Sequence, residues 1–170
     1  MNGLFGPLRE VSFTVRDIES KMLDRAFFVD RWHYIEHVNV TDVKYMGVSC
    51  QDLDISIAMA YDGRQQSELI QQRCDTPSLF QDVLSSGKQK ACSSFWPSDY
   101  DAVYNTALAN RCEEIWRGVS QLERFVYFRR QSGSIIKMAE ITPERTWVLG
   151  AMRMDSFRSG SAVIRRGWPK

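Results

Sequence analysis

Apolar and polar positions along this chain of 170 residues change their period in a fixed order. From Arg9 to Val15 they alternate with the period of two of a half-buried strand. Asp17 then stands as a helix N-cap, and Ile18 to Asp30 sets Met22, Leu23, Ala26 and Phe27 at helical spacing. Alternation returns over Trp32 to Val40 and again over Val43 to Ser49. Ile55 to Tyr61 follows, and Asp62-Gly63 makes a hairpin turn into Ser67 to Gln71. This stretch reads β-α-β-β-β.

The order then restarts. Thr76-Pro77 opens a short connecting helix to about Leu84, closed by Ser85-Ser86-Gly87. Ala91 to Trp96 reads as a strand and Asp99 to Ala109 as a helix. Glu113 to Val119, Glu123 to Arg130 and Ser134 to Ile141 read as three more strands, the last hairpin turning at Gln131-Ser132-Gly133. Ser12-Phe13 recurs as Ser94-Phe95, and a capping Asp follows the Phe by the same interval in both places (Asp17 and Asp99). The repeat predicts an α+β fold of two βαβββ modules, 8–72 and 90–141, joined by a linker with a short helix, 73–89. Their sheets are expected to form curved mixed surfaces around one shared cavity. In 142–170, Thr142 caps a C-terminal helix whose first residue is Pro143. Trp147, Val148, Ala151, Met152 and Met154 form an apolar stripe on it, broken by Arg145, Arg153 and Asp155. Such a stripe must bury against its own sheet or against a second copy. A homodimer with Trp147 and Met154 near the contact is expected.

Composition narrows the function. The chain is 44% hydrophobic and 25% charged, as globular proteins are. Lys plus Arg is 22 against 21 for Asp plus Glu, which removes the broad basic field of a nucleic-acid or lipid-surface binder. No apolar stretch reaches the roughly 20 residues of a bilayer span, and 1–7 has no secretory pattern. Cys50, Cys74, Cys92 and Cys112 lie far apart with no CxxC pair, so reduced thiols and a cytoplasmic location are expected. With only two histidines, His33 and His37, a three-histidine metal site is excluded.

On these residues the chain resembles the vicinal oxygen chelate superfamily of glyoxalases, epimerases, dioxygenases and bleomycin-type resistance proteins. It is most similar to glyoxalase-like members of the methylmalonyl-CoA-epimerase type. Val15-Arg16-Asp17 stands where those have Val-Pro-Asp, and Glu68-Leu69-Ile70-Gln71-Gln72 matches all but the last letter of Glu-Leu-Ile-Gln-Pro. Pro77-Ser78-Leu79-Phe80 and Gly87 follow the family order between the modules. The resemblance implies metal ligands at Glu10, Glu68, Cys92 and Lys137. An ammonium carries donors only and cannot ligate a cation, and a thiolate does not suit magnesium or manganese. A divalent metal is therefore disfavoured and no cofactor is expected; if a metal is held, Glu10, Glu68 and Cys92 hold it.

Residues two apart on a strand share a face, so the same slots still meet in the cavity. Glu10, Glu68 and Lys137 are the candidate catalytic residues. A glutamate would take a proton next to a carbonyl while the ammonium stabilises the enolate. The alternative is a buried salt bridge that only replaces metal charge. Cys92, His37, Tyr127 and Trp96 are candidate ligand contacts. Cys92 is either a nucleophile or a small buried hydrophobe. His37, sharing a face with His33 and Ile35, is either an acid–base group or a rim residue. Aromatics reaching the cavity suit a bulky apolar ligand. Two functions are thus expected: a glyoxalase-like lyase or isomerase working without the usual metal, or a metal-free protein that sequesters a hydrophobic or aromatic compound.

Overall fold

In the computed structural model, residues 3–24, 31–62, 65–87, 91–157 and 162–165 are described. The chain runs through β1 (Leu8–Thr14), α1 (Ile18–Asp24), β2 (Arg31–Tyr45), β3 (Val48–Ser49), β4 (Leu53–Asp62) and β5 (Gln65–Gln72). It continues through α2 (Leu79–Ser85), β6 (Ala91–Phe95), α3 (Tyr100–Ala109), β7 (Glu113–Val119), β8 (Arg124–Arg129) and β9 (Ile135–Ala139). It ends with α4 (Pro143–Ser156) and β10 (Ala162–Arg165). Gly63 of the expected Asp62-Gly63 turn and the Ala26 and Phe27 positions expected on the first helix fall outside the described residues.

All strands join one mixed sheet. Its order is β2-β4-β5-β1-β6-β9-β8-β7, and β7 pairs back onto β2, so the sheet curls into a barrel. β1 runs parallel to β5, β6 runs parallel to β9, and β1 meets β6 antiparallel. β2 makes the closure because of its length. One of its edges carries β4; the other carries β10 at its start and β7 at its end.

The two strands expected at Trp32–Val40 and Val43–Ser49 are therefore mostly one strand. Thr41-Asp42 does not break it: register shifts and a positive φ at Asp42 bend the backbone instead, a conformation that Asp tolerates. A second shift lies between Ile35 and Val38. It leaves both Glu36 and His37 exposed and ends the strict alternation that would have put His37 beside His33 and Ile35.

Local chemistry sets the helices. Asp17 accepts from the Ser20 N–H and Asp99 from the Ala102 N–H, as capping residues do. Ser78, rather than Thr76, caps α2, accepting from the Phe80 and Gln81 N–H groups. Thr142 caps α4, with Pro143 in its first turn. α1 lies on an outer cluster of Ile18, Met22, Trp32 and Leu69, and α3 on another of Ala107, Val126, Phe128 and Met138. A third cluster, with Ile35, Val40, Ile57, Trp116 and Tyr127, fills the inside of the barrel, and α4 closes onto it through Val148, Leu149 and Met152. Trp147 and Met154, counted in the apolar stripe, instead face out, and Leu149 takes their place inside.

Gly118 of β7 lies where the barrel closes. A Cβ there would stand 2.5 Å from Val40 Cγ1 and 3.2 Å from the Phe125 ring. Gly118→Ala is expected to destabilise the fold by about 1–3 kcal/mol through overpacking, read as a lowered denaturation midpoint. An unchanged midpoint would show that β2 and β7 can part there without loss.

Candidate active site

Register decides which side chains meet. Ser12 of β1 pairs with Glu68 of β5, and Ser94 of β6 pairs with Lys137 of β9. Across the β1–β6 seam, Glu10 faces Ser94 and Ser12 faces Cys92. Lys137 therefore holds in the second half the place that Glu68 holds in the first. On β1 the residues turned to the barrel interior are polar, Glu10 and Ser12, whereas Phe13 packs outward under α1.

Glu10, Glu68 and Lys137 come together at the head of an inner cavity of about 50 Å³. Lys137 Nζ donates to Glu10 Oε1 at 3.1 Å and to Glu68 Oε2 at 3.1 Å. All three are buried, the lysine 5% exposed and Glu10 1%. Glu10 Oε2 accepts from Gln66 Nε2 at 3.0 Å, and Gln66 Oε1 accepts from the Tyr61 hydroxyl at 2.9 Å. Glu123 lies 3.9 Å from Lys137 Nζ and forms a close ion pair with Arg145 of α4. Val38, Val40, Ile57, Met59, Phe80 and Trp116 make much of the remaining wall. The volume admits about four waters or a few ligand atoms.

Three carboxyls facing two cations leave one negative charge too many for a dry site. Glu68 absorbs the excess. Burial and the neighbouring Glu10 push its pKa up to about 8, against the pull of Lys137. Glu10 goes the other way: burial would raise it, but Lys137 and Arg145 hold it below the usual carboxylate range. Burial works against the Lys137 ammonium, yet Glu10 and Glu68 keep it charged far above neutrality. Two carboxyls pushed apart in this way divide into a permanent anion and a proton carrier.

This donor set does not fit a metal. The Lys137 ammonium already lies between the two carboxylates, bonded to both. Burial pushes the Cys92 thiol up to about 12, and its sulfur turns toward the Ile135 and Ser93 carbonyls. Among the described residues, no three His, Cys, Asp or Glu side chains stand together as a ligand set.

The other candidates separate. Cys92 lines a neighbouring cavity with Ser12, Thr14 and Leu79; Phe80 and Tyr127 line both that cavity and the inner one. Trp96 lies under the Arg145 guanidinium, 4.1 Å from ring centroid to Cζ, outside the inner cavity. His37 does not reach the group: its imidazole is exposed and pairs with Asp54 at 2.9 Å. Glu123 and Arg145 were not identified from the sequence. Arg145 gave one sign, as a charge interrupting an apolar helical stripe; on a covered face such a charge needs a buried partner.

No family model and no curated protein matches the chain. Solved structures do. A methylmalonyl-CoA epimerase from Mycobacterium tuberculosis superposes with a TM-score of 0.59 at 12% identity, covering 86% of this chain and 95% of that one. A hypothetical protein from Bacillus halodurans gives 0.57 at 10%, covering 80% and 94%. A Streptomyces coelicolor methylmalonyl-CoA epimerase, solved with 2-nitronate-propionyl-CoA, gives 0.52 at 10%, covering 81% and 95%. The chain shares the fold of these methylmalonyl-CoA epimerases, the group that its motifs resemble.

The Glu68 proton has a stability signature. A folded pKa of about 8, above the ordinary carboxylate value of 4.5, means that the folded chain keeps a proton the unfolded chain releases. The associated stability is complete below about pH 4.5 and is lost as pH rises to about 8. Denaturation across that window should show the decline in the wild type and lose it in Glu68→Gln. The same slope in both proteins would place the titration elsewhere.

Proposed function

We propose that the chain is a glyoxalase-like lyase or isomerase that moves a proton next to a carbonyl, with the Lys137 ammonium doing the work that the resemblance assigns to a metal. The reading is supported by one observation above others: Lys137 bridges two buried glutamates, and burial beside Glu10 pushes the pKa of one of them, Glu68, up to about 8. Near pH 8 Glu68 exists as base and acid in comparable amounts. As carboxylate it takes the α-proton; the C–H electron pair moves into the carbonyl and leaves an enolate oxygen beside Lys137. As acid it returns the proton to carbon. Glu10 remains ionised and fixes the ammonium. The shared strand order of the two halves, each pairing its first strand with its last in parallel, supports reading them as two βαβββ modules.

Incubation of the protein in D₂O with pyruvate, acetone and a simple thioester tests this, with deuterium at the α-carbon read by NMR. Exchange should rise with pH toward a plateau above about 8, where Glu68 is ionised. Glu68→Gln should slow it by about 10²–10⁴-fold, the contribution of a positioned acid–base group. Exchange no faster than in buffer alone would overturn the reading.

The apolar wall of Val38, Ile57, Phe80 and Trp116 favours a second reading, a protein that sequesters a hydrophobic or aromatic compound without metal. Ligand-dependent thermal stabilisation without any exchange would select it. Assembly is the companion proposal: Trp147, Met154 and Phe157 lie exposed at 72%, 71% and 67% on or beside α4, an apolar face suited to a two-fold homodimer. Sedimentation should give twice 19.7 kDa, falling toward the monomer in Trp147→Glu; a monomeric wild type at micromolar concentration would refute it. Free thiols and a near-neutral charge accord with a cytoplasmic protein.

A further inference from the structure

Beyond Arg145 and Leu149 lies an outer cavity of about 300 Å³, and both residues line it and the inner cavity alike. Its wall carries Arg9, Arg145 and Arg153 with Tyr61 and Trp96, and no carboxylate among the described residues. For a chain of net charge +1 this is a marked local excess of positive charge. Arg117, Arg124 and Arg129 each meet a glutamate or aspartate. Arg9 and Arg153 are exposed and meet neither among the described residues. Arg145 turns inward: it pairs with Glu123 and stacks over Trp96.

The outer cavity is also wired to the inner one. The Tyr61 hydroxyl, in the field of Arg145 and Arg153, donates to Gln66, which donates to Glu10, which holds Lys137. An anion placed among the arginines would sit beside Arg145, which with Leu149 separates the two spaces, and would compete with Glu123 for its guanidinium. The inner cavity holds only a few atoms, so it has no room for the charged end of a substrate.

We propose that the outer cavity is the entry site for a small anionic substrate, a carbonyl compound bearing a carboxylate or phosphate that Arg9 and Arg153 receive. This rests on the acid–base reading above and names its substrate class. Guanidinium groups suit it, because their planar forks meet both anions through paired, charge-assisted hydrogen bonds.

Titration calorimetry of the full chain at constant ionic strength tests it, with malonate and inorganic phosphate as probes and malonamide as the uncharged control. Saturable one-to-one binding of at least one anion is expected, with none of malonamide. Arg9→Gln and Arg153→Gln should each weaken it about tenfold, the loss of one charge-assisted pair. Both side chains are exposed, so the variants should keep the wild-type melting temperature without anion. Absence of saturable binding of both anions, or equal affinity in wild type and both variants, would overturn the entry site. Anion binding by a protein that exchanges no α-proton would support the entry site while the acid–base reading falls. Exchange equally fast on acetone and pyruvate would overturn the entry site and leave the acid–base reading standing.

Discussion

A single ammonium group, Lys137, organises the interior of this barrel. Buried charge is costly unless it is paired and hydrogen-bonded, and Lys137 meets that condition only because three strands deliver their side chains to one point. β1 brings Glu10, β5 brings Glu68, and β9 brings the lysine itself. Loss of Lys137 or of Glu10 leaves the other with uncompensated charge in a low-dielectric site. The same condition fixes the protonation pattern. Glu123 and Arg145 neutralise each other, Glu10 neutralises Lys137, and Glu68 is left to hold a proton. Structural necessity and the proposed reactivity thus have one source: a site made neutral by a proton has a proton to give.

The barrel supports this arrangement by separating two kinds of packing. Apolar clusters beneath α1 and α3 lie on the outside of the sheet, where ordinary hydrophobic burial stabilises the strands. The inside is divided between an apolar wall around Trp116, Phe80 and Ile57 and the polar head formed by Glu10, Gln66 and Glu68. The close approach at Gly118 and the two register shifts in β2 let the sheet curl far enough to bring these walls together. An open sheet would leave the glutamates in water, with ordinary pKa values and little catalytic leverage.

α4 gives the interior its second boundary. Leu149 extends the apolar wall, while Arg145 carries a charge into it and is satisfied by Glu123 and the Trp96 ring. One helix therefore completes the core, closes the cavity and contributes to its electrostatics. A helix held at its inner face by a few side chains and an ion pair is also an element that can shift without unravelling the sheet.

Element types and order were legible in the sequence, because period-two and helical spacings are local properties, and because Asp17, Asp99 and Thr142 announce their helices through cap chemistry within a few residues. The slots for Glu10, Glu68, Cys92 and Lys137 were legible too, through strand position and family resemblance. Local pattern carries no record of what crosses a sheet. It gave two strands where β2 is one, since only pairing with β4, β7 and β10 makes the bend at Asp42 continuous. It left His37 either on the cavity face or at the rim, since a bulge, which here sets it outside, shifts alternation without changing composition. It placed Trp147 and Met154 with Val148 and Met152, although the angle at which α4 meets the barrel chooses Leu149 and Arg145 for the interior. Whether a lysine among glutamates is a spoiled metal site or a working ion cluster depends on distances of a few ångströms between residues far apart in the chain. Sequence supplied the charges; only the closed barrel, by excluding water from around them, decided what they are able to do.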